Sequence, residues 1–189
     1  CKILLGGVLT AHKIMAMPGC SINNPTLTEA DLRNLAVAKQ YKVTDVMLPF
    51  VRNKADLIIL REALREYGCE DIRIFAKIEN MTGVEHLEEL IPYCDYIVIA
   101  RGDLGNAMPL SQLPRIQAHI ARVCRKHNKD FMIVTQMLDS MIKNPYPTRA
   151  EVNDIYHADT QGASTLMLTG ETAHGKYPVE AMKMLVDTA

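Results

Sequence analysis

The sequence predicts an α/β protein built from parallel strands and crossover helices. Three observations predict this: short apolar runs recur five times, each is followed by a longer stretch of helical period, and polar capping residues stand where run hands over to helix. The strand candidates are Asp45 to Phe50, Arg73 to Ile78, Tyr96 to Ala100, Asp130 to Thr135 and Ser164 to Leu168. Each is rich in Ile, Val, Leu, Met or Phe with little polar alternation, the composition of strands buried on both faces.

The elements follow in order. The first twenty or so residues, with Gly6, Gly7, Pro18 and Gly19, read as an entry segment. Thr28 then precedes an acidic turn and the apolar positions Leu32, Leu35 and Val37, which marks a helix start ahead of the first strand. Thr82 stands in the same relation to Val84, Leu87 and Leu90 after the second strand, and Thr148 to Ala150 and Glu151 after the fourth. Pro109, Pro114, Pro145, Pro147 and Pro178 fall between strands and helix bodies, where a fixed φ and a missing donor do little harm. Five such units do not close an eight-stranded barrel, and a sheet of five would keep two open edges. A five-stranded doubly wound sheet is the alternative, but no glycine-rich phosphate turn follows the first strand. The chain begins at Cys1 without an initiator methionine and ends at Ala189 soon after an amphipathic run, so a piece of a longer protein is expected.

Composition narrows the partners. The 189 residues carry a formal charge of -1 and a hydrophobic share of 48%, enough apolar material for a real core and no net field for nucleic acid or an anionic membrane. Cys1, Cys20, Cys69, Cys94 and Cys124 show no paired spacing for zinc or redox chemistry, as suits a reducing compartment. No apolar run approaches the roughly 20 residues of a membrane helix, and no secretory leader is visible, so a cytoplasmic protein is expected.

In parallel β/α architectures ligands bind at the carboxyl ends of the strands, and polar residues concentrate there. Lys77 and Glu79 end the second strand two residues apart, so their side chains share a face. They form either a simple ion pair or part of a site. Asp103, at the end of the third strand, favours the site: one Glu and one Asp from adjacent strands, completed by water and substrate oxygens, make an oxygen shell for Mg²⁺. Gly102 and Gly105 around Asp103 mark a tight turn, or let the backbone amides approach a carboxylate. Thr135 offers a hydroxyl at the end of strand four, to a ligand or to its own loop. Glu171, after Thr169 and Gly170, is a helix-start acid or a further carboxylate at the rim.

The motifs Lys77-Ile78-Glu79-Asn80, Ala100-Arg101-Gly102-Asp103-Leu104-Gly105, Thr135 to Met141, Pro147-Thr148-Arg149-Ala150-Glu151 and Gly170-Glu171-Thr172-Ala173 occur in an order that resembles the pyruvate kinase family. The resemblance covers essentially the whole chain. It implies the C-terminal five β/α units of a TIM (β/α)8 barrel of the phosphoenolpyruvate/pyruvate-binding type. Residues 1–20 would return from a lid domain, 21–189 would be the partial barrel, and the first three strands, the lid and the C-terminal domain would be absent. It implies Mg-dependent phosphoryl transfer from phosphoenolpyruvate to ADP, giving pyruvate and ATP in glycolysis, and a cytoplasmic homotetramer for the full-length protein. Matched residue by residue, Lys77 would neutralise charge on the phosphoryl group and the forming enolate, and Glu79 and Asp103 would hold Mg²⁺. The Gly102 and Asp103 amides would take the substrate carboxylate with Thr135, a catalytic as well as a substrate-binding residue, beside it, and Lys13 would approach the nucleotide. The ligands of the family's K⁺ lie outside the segment.

The chain departs from the family pattern at Ile14, Met15 and Ala16 after the entry lysine, at Pro49, at Ala107 and at His174. Two rival readings follow: a non-catalytic or weakly active relative, and a Mg-dependent lyase that cleaves a carbon-carbon bond of an oxo acid through an enolate.

Overall fold

The structure, a computed structural model, describes residues 2–3, 6–8 and 24–189. Lys13 and the departures at positions 14–16 lie outside the described residues. From residue 24 onward the chain runs α1 (Glu29–Ala38), β1 (Asp45–Leu48), α2 (Lys54–Glu66), β2 (Arg73–Ile78), α3 (Met81–Glu85), α4 (Leu87–Leu90), β3 (Tyr96–Ala100) and α5 (Arg101–Asn106). It continues with α6 (Leu113–Lys126), β4 (Phe131–Val134), α7 (Arg149–Thr160), β5 (Thr165–Met167), α8 (Gly170–Ala173) and α9 (Pro178–Thr188).

The five strands form one sheet in the order β1-β2-β3-β4-β5, and every neighbouring pair is parallel. Strand order that follows chain order without a reversal is the winding of a barrel wall, whereas a doubly wound sheet reverses part way. The alternation of side chains sorts each strand into two faces. Ile74, Ile97, Ile99 and Ile133 join the main core with Leu57, Leu64 and Ile120 of the helices. Phe75, Val98, Ala100, Met132 and Val134 form a second cluster on the opposite face. There Phe75 stacks on Tyr96 with ring centroids 4.4 Å apart. Arg73 and Lys77 share the Phe75 face of β2, so Lys77 projects to the side the helices do not cover.

Local chemistry explains the helix starts. Thr28 with Asp31, and Thr148 with Glu151, make capping boxes in which each side chain satisfies the other's backbone N–H. The start expected at Thr82 falls two residues earlier: the Asn80 side chain accepts from Gly83 N at 2.8 Å and α3 begins at Met81. Asn80 also donates to the Val51 carbonyl at 3.2 Å, so one side chain caps the helix and ties it to the end of the first unit.

Three strands are shorter than their apolar runs. Phe50 and Thr135 have φ of 52° and 78°, a left-handed backbone that leaves the sheet and ends pairing before the apolar sequence does. Ser164 and Leu168 flank β5 without joining it. Cys69, Cys94 and Cys124 are buried and free, and burial pushes the Cys94 and Cys124 thiols up to about 11 and about 12, so they pack as small apolar groups.

Candidate active site

The site begins with the Glu79 carboxylate. Its side chain is 1% exposed and is held from two directions. Lys77 Nζ lies 2.6 Å from Oε1, and the backbone N–H of Phe50 donates to Oε2 at 2.7 Å. The ion pair that the spacing allows is therefore formed, with Lys77 itself 25% exposed at the mouth. Burying a lone carboxylate costs several kcal/mol, roughly, so the two partners explain why it stays in place.

The Phe50 amide reaches Glu79 because the β1 to α2 connection is tied down. Val51 N donates to the Lys77 carbonyl at 3.3 Å. The next residue, Arg52, forms a two-pronged pair with buried Asp56, through Nη2 to Oδ1 at 2.6 Å and Nε to Oδ2 at 3.1 Å. Thr26 adds a hydroxyl to Asp56 Oδ1 at 2.6 Å. Burial pushes the Asp56 carboxyl up, but Arg52, Thr26 and the Arg52 amide outweigh burial and hold it below the usual carboxylate range.

Asp103 and Gly102 come from the adjacent strand end. β2 and β3 pair with Ile78 opposite Ile99, so Glu79 and the start of α5 emerge side by side. Gly102 and Asp103 occupy the first turn of α5, where backbone N–H groups have no intrahelical acceptor, and the cap residue Ala100 supplies no side-chain hydrogen bond. Thr135 comes from the next strand end and packs over Gly102. A Cβ built on Gly102 would lie 3.1 Å from Thr135 Cγ2 and 3.6 Å from its Oγ1, so any larger residue would crowd Thr135.

Glu79 and Asp103 provide hard oxygen donors, the type Mg²⁺ takes from a protein while keeping water and substrate oxygens. Among the described residues no group of three or more His, Cys, Asp or Glu side chains could hold an ion. A cleft of about 790 Å³ opens elsewhere, lined by Asn24, Thr26, Arg52, Asp56 and Glu62 among others, and includes none of Lys77, Glu79, Asp103 or Thr135.

Two groups matter more than their sequence context indicated. Glu171, read as a helix-start acid or rim carboxylate, is 1% exposed and joins strand ends: Oε1 accepts from Leu138 N at 3.0 Å, and Oε2 from Thr169 N at 2.8 Å. Burial pushes its carboxyl up, but those amides, its own N–H and the Thr169 hydroxyl outweigh burial and hold it below the usual range. Arg101 is the second, with its side chain 12% exposed and its guanidinium turned onto the backbone of Thr135. Its place directly after an apolar strand was the available signal, since a charge there is seldom left without partners.

Among the described residues no helix is long and apolar enough to cross a membrane. A family model described as the pyruvate kinase barrel domain matches residues 1–182. A pyruvate kinase of Clostridium acetobutylicum is 39% identical over 189 residues, all of this chain and 40% of that protein. Another of Geobacillus stearothermophilus is 40% identical over 183 residues, covering 97% of this chain and 31% of its own length. One of Kluyveromyces lactis is 39% identical over 188 residues, covering 100% of this chain and 37% of its own length. The chain spans two fifths or less of these relatives. With five parallel strands wound in one direction and the ordered motifs at their carboxyl ends, the chain belongs to the pyruvate kinase family, as a part of its barrel domain.

Proposed function

We propose that the protein carrying this barrel segment is a pyruvate kinase that transfers the phosphoryl group of phosphoenolpyruvate to ADP in glycolysis. The observation that carries the reading is Lys77 beside buried Glu79, with Asp103 at the end of the adjacent strand, in a chain of this family. Phosphoryl transfer asks the protein mainly for positioning and charge neutralisation, and these residues supply both.

In this reading Glu79 and Asp103 hold Mg²⁺, which when bound neutralises phosphoryl and substrate oxygens. The first-turn amides of Gly102 and Asp103 receive the substrate carboxylate, and the Thr135 hydroxyl lies beside it. Lys77 faces the reacting end, where its ammonium neutralises the phosphoryl group as the bond from phosphorus to the enol oxygen breaks and a bond to the ADP β-phosphate oxygen forms. The same ammonium then stabilises the enolate oxygen until C3 takes a proton and pyruvate leaves. Lys13 approaches the nucleotide, and K⁺ is bound by residues outside this segment. Residues 1–20 return from a lid domain, residues 21–189 are barrel, and the full-length protein is a cytoplasmic homotetramer.

Full-length protein assayed with phosphoenolpyruvate, ADP, Mg²⁺ and K⁺ tests this. The expected result is pyruvate and ATP in equal amounts, abolished by chelating the divalent cation. Full-length, folded protein that forms neither product at saturating substrate would overturn the reading, and oxo-acid cleavage in its place would favour the lyase.

A further inference from the structure

Arg101 opens α5, yet its guanidinium acts on the end of the neighbouring strand. Nε and Nη2 donate to the Thr135 carbonyl at 3.2 and 2.7 Å. Nη2 also reaches the Gln136 carbonyl at 3.3 Å and Met137 Sδ at 3.0 Å, and Nη1 donates to Asp154 Oδ2 on α7 at 2.6 Å. The fork is thus filled on both sides, by backbone oxygens on one and a carboxylate on the other.

The backbone it holds is strained. Thr135 and Gln136 have φ of 78° and 54°, two successive non-glycine residues in the left-handed region, the first of them β-branched. Such a turn persists only where its surroundings over-determine it. One guanidinium that accepts no substitute geometry, bonded to both carbonyls of the turn, meets that requirement. On the other side of the turn, the Thr135 side chain packs against Gly102, the residue that follows Arg101. The start of α5 therefore grips Thr135 by its backbone and receives its side chain.

We propose that Arg101, braced by Asp154, is a positioning residue for the carboxylate pocket. It fixes the left-handed turn that keeps the Thr135 hydroxyl over the first-turn amides of α5, and so sets affinity for the carboxylate-bearing substrate while leaving the phosphoryl-transfer step alone. This inference rests on the reading of Thr135, Gly102 and Asp103 as that pocket.

The test uses full-length protein with Arg101→Lys, which keeps the charge and loses the fork, together with Asp154→Asn, Thr135→Ala and the Arg101→Lys/Thr135→Ala double variant. Arg101→Lys is expected to raise KM for phosphoenolpyruvate about tenfold or more, the order set by losing charge-assisted hydrogen bonds. KM for ADP and kcat should stay within about threefold, and Asp154→Asn should act in the same direction more weakly. In the Thr135→Ala background the added loss should shrink to less than about threefold, because the hydroxyl that Arg101 positions is gone. An equal loss in both backgrounds, or equal loss for both substrates, would overturn the inference. If Arg101→Lys does not fold, Asp154→Asn with and without Thr135→Ala decides the same question. If the wild type proves inactive, the functional reading fails separately, and a crystal structure of Arg101→Lys decides: a turn relaxed out of positive φ supports the inference, and an unchanged turn overturns it.

Discussion

The Lys77 ammonium lies 2.6 Å from the buried carboxylate of Glu79, two residues further along the same strand end. The pair is at once the counter-charge that lets Glu79 stay buried and, in the proposed mechanism, a catalytic lysine beside a metal ligand. These two roles separate by mutation. Lys77→Met in the full-length protein should lower kcat about a hundredfold or more, the scale of removing a group that meets developing charge. It should also lower stability by about 1–3 kcal/mol, because Glu79 loses a partner. Adding Glu79→Gln should recover much of the melting temperature and none of the activity. Recovered activity would remove Lys77 and Glu79 from the chemistry, and an unrecovered melting temperature would remove the counter-charge role.

Gly102→Ala tests the carboxylate pocket by volume alone. The new Cβ would sit 3.1 Å from Thr135 Cγ2, so Thr135 must shift. Overpacking of this kind costs about 1–3 kcal/mol, and here the shift falls on the proposed substrate contact. KM for phosphoenolpyruvate should rise about tenfold with KM for ADP little changed. Steady-state kinetics with each substrate varied in turn would show it.

Gly83→Ala makes the contrasting prediction, a loss of stability at a distance from substrate. Its Cβ would fall 2.5 Å from the Val51 carbonyl oxygen, a backbone atom that cannot swing away. A loss of about 1–3 kcal/mol in chemical denaturation is expected. Because Val51 adjoins Phe50, whose amide holds Glu79, divalent-cation affinity should weaken as well.

Glu171 gives the pH dependence. Its carboxyl is held below the usual range in the folded state, so the unfolded chain binds the proton more tightly. Its contribution is therefore complete above the unfolded value, about 4.3, and is lost as pH falls through the lower folded value. The melting temperature of Glu171→Gln should lie below wild type at pH 7, and the gap should close in more acid solution, where a protonated Glu171 meets the same amides no better than Gln. A gap of constant size down to about pH 3 would contradict the assignment.

Much of the fold was legible because burial on both faces leaves apolar runs that turn chemistry bounds sharply. Arg73 to Ile78 and Tyr96 to Ala100 became strands at the predicted residues. The strands at Asp45 and Asp130 ended early because Phe50 and Thr135 adopt left-handed backbone, which composition does not encode for a phenylalanine or a β-branched residue. Thr82 misled because Asn80, two residues earlier, captured Gly83 N. The Lys77 and Glu79 pairing was readable from their spacing of two. The roles of Arg101 and Glu171 were not, because the partners of Arg101 stand 34 to 53 residues away and the Leu138 amide that Glu171 accepts from stands 33 away, and only the parallel winding brings them together.

In the proposed mechanism Glu79 and Asp103 share one divalent cation. Titration of the full-length protein with Mn²⁺, followed by the loss of the free-ion electron paramagnetic resonance signal, tests it directly. Wild type should bind one ion at this site, Glu79→Gln and Asp103→Asn should each weaken it about tenfold or more, and exposed Asp139→Asn should leave it unchanged. Mn²⁺ binding as tight in both carboxylate variants as in wild type would contradict the account.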